Sequence, residues 1–222
     1  MLTSDEIRKN YAAVEARIRS ACARANRHDR VTLIAVSKTF PAEAISAAIE
    51  AGARDIGENR VQEARDKKPL VPEPARWHLI GHLQSNKAKD AVRLFDVIQT
   101  IDAVSLAEKV GKAAAAAGKI QEVLLEINIG REAQKVGADP AEVEQLARAV
   151  RQIDALSLTG LMTIPPVADE RGTRAYFGEM RALRDATGLQ HLSMGMTDDF
   201  EMAIEEGATM VRVGRAIFGS RG

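Results

Sequence analysis

The sequence predicts an α/β fold, a single (β/α)8 barrel of the TIM type that uses residues 1–222 as one domain, with an extra helix at the N-terminus. Three observations predict it. Short apolar runs rich in β-branched residues alternate with helix-forming segments along the chain after residue 30. Eight such runs fit in this length, as a closed parallel barrel needs. The polar residues gather at the C-terminal ends of those runs. A doubly wound open sheet is the runner-up, because periodicity does not report closure. Against it, the first strand–helix turn at 37–41 has no glycine, and G-x-G-x-x-G is absent from the chain.

Residues 3–26 read as an amphipathic helix, since Ile7, Tyr11, Val14, Ile18, Cys22 and Ala25 recur every three or four positions. Residues 31–37 form an almost unbroken apolar run, as a strand covered on both faces should. Pro41 then opens a helix and Gly52 closes it. The next strands fall at 53–57, 76–81, 96–101, 120–128, 156–162, 190–194 and 209–213. Helices are expected near 59–68, 84–94, 103–117, 139–151, 169–187 and 198–206, while the last strand runs on into 216–220, with the start of a short helix near Arg215.

The 222 residues are 45% apolar and 28% charged, with lysine plus arginine equal to aspartate plus glutamate. No net field therefore draws the chain to nucleic acid or an anionic membrane. No apolar run approaches the ~18 residues of a membrane span. Residues 1–10 are too polar for a secretory signal. Cys22 is the sole cysteine, which suits a reducing, cytoplasmic setting.

In a parallel barrel the chemistry sits where the strands end. Lys38, alone among the lysines, directly follows an apolar strand run. An ammonium there must be paired or neutralised, and a neutral lysine amine can form a Schiff base with a carbonyl. A lysine that simply reaches to solvent at the rim is the plain alternative. Ser193, Gly195 and Thr197 after the seventh strand, with Gly214 and Arg215 after the eighth, offer hydroxyls, approachable backbone N–H groups and a cation where barrels frequently hold phosphate. Tight turns with incidental hydroxyls would look the same. Strand alternation puts Val211 and Val213 on one face and Arg212 on the other, pointing into the barrel. A buried guanidinium needs a partner, and Glu126 and a ligand are both candidates. His78 and His82 are four apart on a strand, which is poor spacing for zinc, and no metal site is expected.

Several longer motifs agree in order with one family. They are Val36-Ser37-Lys38-Thr39, Gly57-Glu58-Asn59-Arg60-Val61-Gln62-Glu63, the stretch from Trp77 to Lys87, Ser193-Met194-Gly195-Met196-Thr197-Asp198-Asp199, and the stretch from Val211 to Gly219. The chain resembles the pyridoxal phosphate homeostasis proteins, which share the barrel of alanine racemase and other fold-type III pyridoxal phosphate (PLP) enzymes. The resemblance implies PLP held as a Schiff base on Lys38. It implies Ser193, Gly195, Gly214 and Arg215 around the phosphate, Arg212 beside the pyridine nitrogen, and Asn59, His82 and Met162 near the ring. Two positions depart from the family pattern: Arg215 and Gly130 stand where many relatives have a hydroxyl residue.

The implied role is a PLP carrier in intracellular PLP homeostasis, not an enzyme of rapid turnover. Arginine at the ring nitrogen gives no proton, so PLP would be a weaker electron sink. Racemisation also needs a second acid–base group, which alanine racemase takes from a partner subunit's tyrosine alongside a C-terminal β domain. This sequence stops at Gly222, and Tyr11 and Tyr176 fall in outer helices. A slow amino-acid racemase or Schiff-base aldolase, and a binding protein for another phosphorylated ligand, are the alternatives. The expected partners are PLP and PLP-dependent apo-enzymes, and the expected state is a monomer.

Overall fold

The computed structural model describes residues 2–71 and 75–220. Its eight strands are β1 Thr32–Val36, β2 Asp55–Glu58, β3 Arg76–Leu79, β4 Val97–Ile101, β5 Gln121–Glu126, β6 Leu156–Met162, β7 His191–Ser193 and β8 Met210–Val213. They pair in sequence order, all parallel, and β8 returns to β1 through Leu33–Val211 and Ala35–Val213 register pairs. Closure excludes the open doubly wound sheet. The eight strands expected from sequence all form, with ends displaced by up to a few residues.

Nine helices flank the strands among the described residues: α1 Ser4–Arg24, α2 Ala42–Glu50, α3 Val61–Lys67, α4 Ala88–Leu94, α5 Val104–Ala116, α6 Val143–Arg151, α7 Glu170–Thr187, α8 Phe200–Glu205 and α9 Arg215–Phe218. The helices expected at 84–94 and 139–151 each begin with a 3₁₀ turn, at Ser85–Lys87 and Pro140–Glu142. Helix α7 shows why such segments start and stop where they do. The Asp169 side chain accepts the Gly172 N–H at one end, and Gly188 at φ +66° closes the other in the left-handed conformation.

Two apolar clusters separate the faces of the barrel wall. Leu33, Ala35, Ile56, Leu79, Ile98, Leu125, Leu161, Val211 and Val213 point outward into the layer between strands and helices. Ile34, Val97, Leu124, Met162 and Met210 form a smaller inner cluster. The extra helix α1 buries Ile7, Tyr11, Val14, Ile18 and Ala21 and packs against α2, α8 and α9. A capping box starts it: Thr3 Oγ1 accepts the Glu6 N–H, and the Glu6 carboxylate accepts the Thr3 N–H. Arg27 ties its end to the carbonyls of Ile204 and Ala208 at 2.7 and 2.8 Å. Among the described residues no helix is long and apolar enough to cross a membrane.

Candidate functional site at the C-terminal end of the barrel

Lys38 stands in a tight turn directly after β1, closed by the Phe40 N–H donating to the Ser37 carbonyl at 3.0 Å. The next residue, Thr39, has φ +69°. For a β-branched residue the left-handed region costs roughly 1–2 kcal/mol, so something must hold the turn. Four side chains do. The Glu63 carboxylate accepts the Thr39 N–H at 2.8 Å. Lys67 Nζ donates to Glu63 at 3.2 Å, to Glu58 at 2.8 Å and to the Ser37 carbonyl at 3.0 Å. Ser37 Oγ completes the brace by donating to Glu58 at 2.6 Å.

The electrostatics follow from this packing. Burial pushes the Glu58 carboxyl up, and the Lys67 and Ser37 hydrogen bonds oppose that rise. Burial also works against Glu63, but the Thr39 N–H and Lys67 together hold it below the usual carboxylate range. Glu58 and Glu63 stand in one of the motifs read from the sequence, but their bracing role, and Lys67 altogether, were missed there. The one available signal was a glutamate ending an apolar strand, five residues before a second glutamate on the following helix.

Lys38 lines a cavity of about 280 Å³ together with Val36, Asn59, Ile80, Ile164, Met196, Thr197, Asp198, Arg212, Gly214 and Arg215. A second hollow of about 440 Å³ shares Val36, Lys38, Gly214 and Arg215 and adds Phe40, Gly219 and Ser220. The ends of β1, β2 and β8 and the turn after β7 therefore converge, as the sequence predicts. A larger cavity of about 540 Å³ lies among Tyr11, Cys22, Arg30 and Arg54 at the strand starts, and it touches none of these groups.

Arg212 points inward and is 3% exposed. Burial pulls its pKa down to about 10, against the fields of Asp199 and Glu126, so it stays charged at neutral pH. Its Nη1 donates to Ser193 Oγ and its Nη2 to the Thr163 carbonyl, both at 2.8 Å. Glu126, one of the candidate partners, acts on it only as a neighbouring charge. Burial first, and Asp102 second, push the Glu126 carboxyl up to about 7.

Of the other expected site residues, Asn59, Gly214 and Arg215 line this cavity, and Ser193, Gly195, Met162 and His82 lie outside its lining. Ser193 is fully buried beneath it, with its hydroxyl donating to Gln99 Oε1 at 2.6 Å and accepting from Arg212. Gly195 is at φ +90°, and a β-carbon there would lie 2.5 Å from Ala203 Cβ and 2.9 Å from Phe200 Cα. Its need for glycine comes from the packing of α8, and its carbonyl accepts the Arg212 N–H at 3.0 Å. Met162 is fully buried in the inner apolar cluster. His82 lines a neighbouring cleft with Asn59, Gln62 and Glu63, its Nδ1 4.0 Å from an Asp102 oxygen. Arg215 is exposed and pairs with Asp198 across the mouth. Asn59 Oδ1 is buried at the cavity without a hydrogen-bond partner. Among the described residues no three metal-ligating side chains gather.

The fold and rim define a (β/α)8 barrel in which a lysine on a braced turn and a buried, charged arginine line one cavity. The family model described as alanine racemase, N-terminal domain, matches residues 9–222. The pyridoxal phosphate homeostasis protein of Pseudomonas aeruginosa is 44% identical over 220 residues, covering 97% of this chain and 96% of the relative. A solved structure from Bifidobacterium adolescentis superposes with a TM-score of 0.92 at 40% identity, covering 97% of this chain and 95% of that one. PipY of Synechococcus elongatus, solved with PLP bound, has a TM-score of 0.83 at 37% identity, covering 96% of this chain and all of its own. The chain belongs to the alanine racemase N-terminal-domain family and, within it, to the pyridoxal phosphate homeostasis proteins.

Proposed function

We propose that this chain binds pyridoxal 5′-phosphate through Lys38 and serves as a carrier that buffers the cofactor, without rapid catalytic turnover. The observation that carries the reading is that Lys38 and Arg212 line one cavity with the Gly214–Arg215 turn. PLP-bound PipY and the curated homeostasis relatives support it. The residues present suit the cofactor. A strand-end lysine supplies an amine, the buried Asn59 oxygen is an acceptor in need of a donor, and Arg212 is a fixed donor.

PLP offers an aldehyde that condenses with an amine and a ring that accepts electrons best when its nitrogen is protonated. Lys38 is the anchor. Arg212 would hold the ring nitrogen by donating a hydrogen bond, and because it keeps its own proton it would leave the ring a weaker acceptor of electrons. Gly195, Gly214 and Arg215 are assigned to the phosphate end, Arg215 after leaving Asp198, while Ser193, also expected there, has its hydroxyl committed to Gln99 and Arg212 beneath the cavity. Asn59, His82 and Met162 are assigned to the surroundings of the ring, His82 from the adjoining cleft and Met162 from below. Tyr11 lines the cavity at the opposite end of the barrel, and Tyr176 packs on the outer α7. Neither tyrosine lines the Lys38 cavity, so neither stands where a tyrosine could serve as the second acid–base group of racemisation.

On this reading residues 1–222 act as one PLP-binding domain, as a cytoplasmic monomer that hands PLP to apo-enzymes. Mixing the purified chain with PLP, reducing with borohydride and mapping peptides tests it. The expected outcome is a stable adduct on the Lys38 peptide, with racemisation of free amino acids well below about 1 per second. A chain that carries no adduct after reduction would instead favour another phosphorylated ligand. Turnover above that rate would make the chain an enzyme.

A further inference from the structure

The interior of the barrel carries a continuous line of hydrogen bonds that the site described above does not require. It begins at Arg212, whose Nη1 donates to Ser193 Oγ at 2.8 Å. Ser193 Oγ donates to Gln99 Oε1 at 2.6 Å. Gln99 Nε2 faces His78 Nδ1 at 3.0 Å. His78 Nε2 faces Asp55 Oδ1 at 2.9 Å. Ser193, Gln99 and His78 are fully buried, while Asp55 reaches the cavity at the strand starts. Five strands contribute, and the Gln99–Ser193 link joins residues 94 apart in sequence.

With a neutral His78 imidazole the line has one self-consistent direction. A carboxylate only accepts, so Asp55 requires the His78 proton on Nε2. Nδ1 then keeps its lone pair and must receive a hydrogen, which places the Gln99 NH₂ on that side. The Gln99 oxygen consequently faces Ser193 and takes its hydroxyl hydrogen, leaving the serine lone pairs for Arg212. Reversing the Gln99 amide would set its oxygen against the bare Nδ1, unless the imidazole moved its proton there and left Nε2 facing the Asp55 carboxylate with none. Either misfit leaves buried polar atoms unpaired, at a cost of roughly 1–3 kcal/mol each. The second Gln99 N–H faces the Met210 sulfur at 3.9 Å, so the amide has no other strong acceptor to turn toward.

We propose that Asp55, His78 and Gln99 are positioning residues for Arg212, with the Asp55 carboxylate at the far end of the barrel fixing the direction of every bond up to the guanidinium. Through Ser193 the line holds Nη1, and the Thr163 carbonyl holds Nη2, so the guanidinium stays in one orientation toward the cavity. The inference rests on the reading of Arg212 as the residue that meets the PLP ring, and it adds the residues that aim it. Sequence spacing gives no hint of this line, since its members meet only when the barrel closes.

The test has two parts. The first reads the wild-type chain without cofactor, by long-range ¹H–¹⁵N correlation of His78. The expected result is a neutral ring protonated on Nε2 at neutral pH. A ring protonated on Nδ1, or on both nitrogens, overturns the proposal, and this outcome does not depend on PLP binding or on any variant folding. The second reads PLP affinity by titration. Asp55→Ala should weaken binding by about three- to tenfold, the scale of a coupling carried through one network. Asp55→Asn, which keeps an acceptor oxygen, should recover most of that loss. Glu122→Gln, at a neighbouring strand start but outside the line, should leave affinity unchanged. In an Arg212→Lys background, Asp55→Ala should have little further effect. Full additivity there means that Asp55 acts without Arg212, and the proposal fails. If the wild-type chain binds no PLP at all, the functional reading fails while the His78 measurement still decides the direction of the line.

Discussion

The outer and inner faces of the barrel wall are built from the same strands and obey different rules. Outward, Leu33, Ile56, Leu79, Ile98, Leu161 and Val211 meet helices in one continuous apolar layer. Inward, the apolar cluster of Ile34, Val97, Leu124, Met162 and Met210 shares the interior with Asp55, His78, Gln99, Ser193, Glu126 and Arg212. The outer face gains its stability from area removed from water, about 25 cal/mol per Å². The inner face gains little net stability from buried polar atoms, which mainly avoid the penalty of being unpaired. The two faces divide the labour: substitutions outside should change stability and spare the chemistry, and substitutions at the rim should do the opposite.

The largest expected effect lies at the rim. Lys38→Ala should abolish the borohydride-stable PLP adduct while leaving the thermal unfolding midpoint nearly unchanged, since this side chain belongs to neither apolar cluster. Persistence of the adduct in that variant would remove Lys38 from its role. Next, Leu161→Ala on the outer face should cost about 2–5 kcal/mol in chemical denaturation, with the adduct still forming in the folded fraction. A loss of adduct without a loss of stability would break the division between the faces.

A smaller effect is expected inside, and it depends on pH. Burial raises the Glu126 carboxyl from its ordinary 4.5 to about 7. Between those values the unfolded chain gives up this proton before the folded chain does, so the folded state binds more protons. Stability therefore falls as pH rises through that window, by at most about 3 kcal/mol. Urea unfolding at pH 5 and pH 8 should show this fall, and Glu126→Gln should remove it. An equal fall in the variant would place the pH dependence elsewhere. The smallest effect belongs to neither face. Thr3→Ala should cost α1 about 1 kcal/mol through its cap, read as a small shift in denaturation midpoint.

The same contrast explains what could be read from the sequence. The outer face announces itself, because apolar alternation with intervening helices gave all eight strands and the barrel. Lys38 was legible because it ends an apolar run, and Arg212 because alternation around Val211 and Val213 turned it inward. Its partners were not. Ser193 and the Thr163 carbonyl come from strands and turns that only barrel closure brings beside β8, whereas the sequence offered Glu126 or a ligand. The brace of Glu58, Glu63 and Lys67 stayed hidden for a related reason: its purpose is the left-handed conformation of Thr39, which no pattern of residue types reveals. Gly195 was read as an opening for an anion, and the close approach of Phe200 and Ala203 gives a packing reason for the glycine.

The decisive measurement is a crystal structure of the chain soaked with PLP. The expected result is density continuous with Lys38 Nζ, the ring nitrogen within hydrogen-bond reach of Arg212, and the phosphate against the turns after β7 and β8. Density with no link to Lys38, or a cofactor seated among Tyr11, Arg30 and Arg54 at the other end of the barrel, would contradict it.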